Sequence, residues 1–145
     1  MPDFSPAVAK LIESEGGYVD DHTDKAGETN FGITLAVARA HGYTGEMKDL
    51  PREFAEKVYK ESYWDPFWLD SAATTTQEQA EQLFQAAVNM GVGTAKKLQE
   101  VARGIDPVRA AFAIAQIRHY EEIVKANPTQ EKYEKGWRNR AMAYV

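Results

Sequence analysis

FSPAVAKLIESEGG, residues 4–17, is the stretch that organises this chain. Phe4, Ala7, Val8, Leu11 and Ile12 recur at the i, i+3, i+4, i+7, i+8 spacing of one buried helical stripe. Ser5-Pro6 predicts the helix start, a capping hydroxyl with proline at the first helical position, and Gly16-Gly17 predicts the stop. The next position on the stripe is 15, and there a carboxylate, Glu15, stands in place of an apolar side chain. Unpaired carbonyls give the last turn of a helix a partial negative field, and partial burial acts in the same direction. Both favour the protonated carboxyl that a general acid needs. The position equally suits a frayed, solvated helix end, since glutamate is mostly an exposed residue.

Downstream of the helix, residues 16–33 mix Gly16, Gly17, Gly27 and Gly32 with Asp20, Asp21, Asp24 and Asn30. So many turn formers exclude one long helix, and the interleaved Tyr18, Val19, Phe31 and Ile33 predict a short irregular β-hairpin. Beyond it the chain reads as helix after helix. Thr34 caps one that closes at Gly42. Leu50-Pro51 opens another, with Phe54, Ala55, Val58, Tyr59 and Ser62 on one face, ending before Asp65-Pro66. Residues 69–75 read as a loop. Helices follow over about 76–90, over a short segment capped by Thr94, and over about 107–125. The 107–125 segment is apolar nearly all round and is predicted to be the central buried helix. The last helix places Tyr133, Gly136, Trp137, Arg140, Ala141 and Tyr144 on one side. The expectation is one mostly α domain over residues 1–145, with a small irregular hairpin after the first helix.

Composition narrows the function. With 145 residues and 43% hydrophobic content the chain can build a packed core. A net charge of −5 disfavours a general nucleic-acid binder, although Lys132, Lys135, Arg138 and Arg140 make the C-terminal helix locally basic. The absence of cysteine excludes disulfides, thiolate zinc sites and thiol catalysis. The N-terminus has no basic start followed by an apolar run, and no stretch approaches a membrane span. His22, His41 and His119 lack metal-ligand spacing. Asp20, Asp21 and Asp24 fail as a calcium loop because Lys25 interrupts it and the late glutamate is missing.

The chemistry gathers between residues 15 and 34. Asp24 stands nine positions after Glu15, across the double-glycine turn. A carboxyl at a helix end and a second on a facing hairpin would form the two-walled arrangement that glycosidic hydrolysis uses, one group protonating the leaving oxygen and the other serving the opposite face of the sugar. Thr29 and Asn30 offer a hydroxyl and an amide to hold a water or a sugar oxygen, and equally suit a turn that bonds its own backbone. Tyr63, Trp64, Phe67 and Trp68 are dense enough for a stacking wall, with core packing the competing use for two of them.

Glu15-Gly16-Gly17-Tyr18, Asp24, and Gly27-Glu28-Thr29-Asn30-Phe31-Gly32-Ile33-Thr34 together resemble the N-terminal signature of the glycoside hydrolase family 108 lysozyme-like muramidases. The resemblance continues in order through Tyr59 with Tyr63-Trp64, Ala87-Val88-Asn89-Met90-Gly91, Leu98-Gln99, Arg118-His119-Tyr120, Asn127-Pro128 and Gly136-Trp137-Arg138-Asn139-Arg140. It departs at Gln85, where the family pattern has an acidic residue, and in a shortened turn at Gly104-Ile105-Asp106. The resemblance implies a lysozyme-like α+β fold and hydrolysis of the β-1,4 bond between N-acetylmuramic acid and N-acetylglucosamine in peptidoglycan. Glu15 would be the general acid. Asp24 or Thr29 would place the water or stabilise the sugar cation, with Asn30, Tyr63 and Asn89 in substrate contact. It implies no metal and no cofactor, glycan strands as partner without nucleic acid or stable membrane insertion, and a monomer. An endolysin of this kind is made in the host cytoplasm and acts on the cell wall after release through a separate pore. The competing readings are a lysozyme-like module that holds glycan without cutting it, and a helical interaction protein with no glycan site.

Overall fold

The computed structural model describes residues 1–21 and 27–145. Among these residues the chain forms seven α-helices and one three-stranded antiparallel sheet. It divides into two compact units, Asp3–Asp70 and Ser71–Val145 with Met1–Pro2.

In the first unit, α1 (Phe4–Glu15) buries the predicted stripe: Ala7, Val8, Leu11 and Ile12 are all in the core. Its cap differs from expectation. Asp3, not Ser5, is the N-cap, and its carboxylate accepts the Ser5 N–H at 3.1 Å. An aspartate two residues before a free N–H performs the same service as the hydroxyl and adds a favourable charge at the helix start. The predicted hairpin is a small sheet of β1 (Val19–Asp20), β2 (Glu28–Asn30) and β3 (Ile33–Thr34) in that order. Thr34 then caps α2 (Leu35–Ala40) as expected, accepting the Val37 N–H at 3.2 Å.

Next, α3 (Arg52–Tyr59) does not simply end before Asp65-Pro66. It widens into a π turn, Lys60–Trp64, followed by a 3-10 turn, Asp65–Phe67. A π turn bonds i to i+5, so residues five apart share a face. Tyr59 and Trp64 therefore both enter the core, and Ser62, which α-helical spacing placed on the buried face, does not. The indole N–H of Trp64 donates to Asp70 at 2.9 Å. Lys60 bridges Asp65 and Asp70, at 2.8 Å to each.

In the second unit, α4 (Gln77–Met90) starts with a complete capping box between Thr76 and Gln79. It is followed by α5 (Val92–Ala102), α6 (Val108–Ala126) and α7 (Glu131–Met142). Two expectations are corrected here. Thr94 lies inside α5, whose N-cap is Gly91, because a single glycine with φ of 91° suffices to break α4 from α5. The helix buried on every side is α4, with an unbroken buried run from Gln82 to Ala87, whereas α6 leaves Ile114 half exposed and buries one face only. The alanines Ala80, Ala86 and Ala87 let neighbouring elements close on α4 from several directions. Among the described residues no helix is long and apolar enough to cross a membrane, and no group of acidic and histidine side chains could hold a metal ion.

Candidate functional site

The end of α1 and the tip of the sheet meet around Glu15. Gly16 ends the helix with φ 81° and ψ −169°, a backbone region open essentially to glycine alone, and its N–H returns to the Ile12 carbonyl at 3.1 Å. The chain then enters the sheet, where Val19 pairs with Thr29 and Asp20 with Glu28. Tyr18 clasps this edge: its hydroxyl donates to Glu28 at 2.7 Å, and that bond to a carboxylate pushes the phenol up to about 12.

Asn30 pairs with Ile33, which leaves Phe31-Gly32 as a two-residue turn. Both carry positive φ, 53° and 78°, as a type I′ hairpin turn requires. Phenylalanine is an unfavourable occupant of that region, and such strain persists only where the surroundings impose it. Here the buried Tyr59 imposes it, its hydroxyl donating to the Phe31 carbonyl at 2.7 Å. Gly32 is required for a second reason. A Cβ built on it would stand 2.5 Å from the Tyr59 hydroxyl and 3.0 Å from both Cβ and Cγ of Glu15. The hairpin tip thus rests directly on the stem of Glu15, which is half-buried. Tyr63 extends the cluster, its ring 6.1 Å from that of Tyr59. Beside the same helix end opens a groove of about 480 Å³, lined by Ile12, Glu13, Gly16, Gly17, Phe31 and Arg52.

Of the residues expected from sequence, Glu15, Thr29, Asn30 and Tyr63 lie in this unit. Thr29 is half-buried in the middle of β2, and its hydroxyl has no hydrogen bond among the described residues. Asn30 also serves the fold. It is 5% exposed, and its amide donates to the Met47 carbonyl at 2.8 Å, stapling β2 to the 3-10 turn Met47–Asp49. Asp24 lies outside the described residues. Asn89 belongs to the second unit, where its Nδ2 donates to the Tyr120 hydroxyl and its Oδ1 accepts from Arg140 at 3.2 Å. Of the four aromatics between 63 and 68, Trp64 is core, Tyr63 and Phe67 are half-buried, and Trp68 is 77% exposed.

Tyr59 and Gly32 join the site only in the folded chain. The signal for them is a two-residue Phe-Gly link between strand-like segments, together with a tyrosine on the apolar face of α3.

A family model described as Glycosyl hydrolase 108 matches residues 8–91, a span that includes Glu15, Thr29, Tyr59, Tyr63 and Asn89. Among solved structures the chain is similar to that titled "Structure of Brucella abortus SagA", with a TM-score of 0.75 and 24% identity, covering 97% of this chain and 90% of that one. That likeness, with the helices and the small sheet, bears out the mostly α, lysozyme-like α+β fold expected from sequence. No curated protein matches the chain.

Proposed function

The chain belongs to the glycosyl hydrolase 108 family, a family of glycoside hydrolases, and from that premise we propose that it is a peptidoglycan hydrolase acting through Glu15. The bond cut is the β-1,4 link between N-acetylmuramic acid and N-acetylglucosamine. Glu15 delivers its proton to the leaving oxygen. Thr29, with a hydroxyl uncommitted among the described residues, or Asp24 places the attacking water or steadies the sugar cation on the other side. Tyr63, a half-buried ring beside Tyr59, together with Asn30 and Asn89, contacts the glycan. The protein acts on the wall after export by a separate route, as a monomer.

One observation carries this reading. The stem of Glu15 is held between a helix end and a glycine hairpin tip that is itself anchored by Tyr59. A proton donor must sit within a fraction of an ångström of its productive position, and side chains supported by rigid backbone meet that demand. The test is Glu15→Gln, which keeps shape and removes the transferable proton. Clearing of stripped cell walls should fall by about 10²–10⁴-fold, the usual loss when an acid catalyst is removed, with the melting temperature retained. Equal clearing by the variant would overturn the assignment.

A further inference from the structure

A pocket in the Ser71–Val145 unit plays no part in that chemistry. It has a volume of about 220 Å³ and is lined by Gln79, Gln82, Leu83, Gln99, Arg103 and Phe112, with smaller contributions around them. Gln82 is only 3% exposed. Its Nε2 donates to the Arg109 carbonyl at 2.8 Å, which fixes which way the amide points. Its Oε1 has no hydrogen-bond partner among the described residues. Yet the atom is not sealed off, because Gln85 Oε1 is the fully buried, unpartnered side-chain atom among the described residues. Gln82 Oε1 therefore opens onto the pocket that its residue lines, as an acceptor in need of a donor.

The rim has the opposite character. Gln79 Oε1 already accepts the Thr76 N–H at 3.0 Å, while its side-chain N–H donors make no hydrogen bond among the described residues. Gln99 makes no side-chain hydrogen bond among the described residues. Arg103 pairs with Glu100 at 3.1 Å, both side chains being about 70% exposed (72% and 70%). Such a solvated pair is worth little and exchanges readily for a ligand carboxylate. One buried acceptor between Leu83 and Phe112, surrounded by amide donors and a guanidinium, is complementary to an N–H on a small apolar body with an anionic end.

We propose that this pocket binds the carboxyl end of a short acylated peptide. The peptide N–H donates to Gln82 Oε1, small side chains lie on Leu83 and Phe112, and the carboxylate takes Arg103 and the Gln79 amide. A neutral N-acetylated sugar could satisfy Gln82 but would leave the Arg103 charge without a counter-charge.

The test is an NMR titration of the full chain with acetyl-alanyl-alanine in its L,L and D,D forms, the same peptides amidated at the carboxyl end, and N-acetylglucosamine. Either free-acid form should give saturable shifts at Gln82, Gln99 and Arg103. Amidation or Arg103→Ala should each weaken binding by about tenfold, the usual scale for one charge-assisted bond, and Arg103→Ala should leave the amidated probe unaffected. Gln82→Met, melting at the parent temperature, should weaken both probes. No saturable shift in the pocket with either free-acid form, an unchanged affinity in Arg103→Ala, or N-acetylglucosamine bound there as tightly as the peptide would overturn the proposal. Should Gln82→Met fail to fold, the Arg103→Ala comparison decides alone. Glu15→Gln should leave this binding untouched, so the two readings fail separately.

Discussion

At the scale of single residues, the site depends on a side chain that is missing. Gly32 answers two demands, a positive φ and a surface flat enough for Tyr59 and Glu15 to approach. Gly32→Ala should therefore cost more than backbone strain. Gly42→Ala, also at positive φ but with nothing within 4 Å of the added methyl, sets the strain cost alone, about 1–2 kcal/mol. Gly32→Ala should lose at least about 1 kcal/mol beyond it through overpacking, read from urea midpoints, and should depress wall clearing because the displaced atoms are those of Glu15. Equal losses in the two variants would mean the tip yields freely. Tyr59→Phe tests the same contact from the other side. Removing the bond to the Phe31 carbonyl should cost about 1 kcal/mol and release the strained turn.

Among the elements, the π turn Lys60–Trp64 has the widest effect, since it carries Trp64 into the core and leaves Tyr63 half-buried at the site. The turn is tied down electrostatically. The Lys60 ammonium and then the Trp64 indole hold the Asp70 carboxyl below its ordinary 3.8, and Asp65 and Asp70 raise Lys60 in return. The folded state thus prefers ionised Asp70. Its contribution to stability is complete above the unfolded value of about 3.8 and is lost as pH falls through the lower folded value. Melting temperature should drop on acidification below that point, and Asp70→Asn should flatten part of the drop. Because these groups are substantially solvated, the effect should be modest and shrink with added salt. An identical acid limb in the variant would remove Asp70 from the account.

For the molecule as a whole, a buried polar chain runs through the Ser71–Val145 unit. Gln85 donates to Gln116 at 3.1 Å, Gln116 donates to the Tyr120 hydroxyl at 2.8 Å, and Asn89 donates to the same hydroxyl while accepting from Arg140. Burial pushes the Tyr120 phenol up, against the opposing pull of Gln116, Arg140 and Asn89. Tyr120→Phe should strand two donors and cost about 1–3 kcal/mol, measured as a shift in the urea midpoint. A neutral result would mean the network is dispensable. Gln85, the departure from the family pattern, sits at the dry end of this chain with its Oε1 unpaired. At the same scale, mass spectrometry of digested cell walls should find fragments ending in reducing muramic acid. Fragments ending in glucosamine would reassign the bond.

Local physics accounts for what could be read early. The α1 stripe, the Thr34 cap, the glycine stops and the turn-rich segment each depend on residues within a few positions of one another, so spacing and side-chain type were enough. The family signature likewise lies in short runs of neighbouring residues kept in order along the chain. Burial and frame could not be read in this way. Whether α4 or α6 is enclosed depends on neighbours distant in sequence. The π turn shifts the buried face by one residue without any marker in composition. The bond from the Asn30 amide to the carbonyl of Met47, 17 positions along the chain, likewise has no local signal. A type I′ turn with phenylalanine at its first position is disfavoured locally and exists because Tyr59 holds it. Short-range preferences name the pieces; which side chains become walls and which become core is settled by contacts that form only after the chain has folded back on itself.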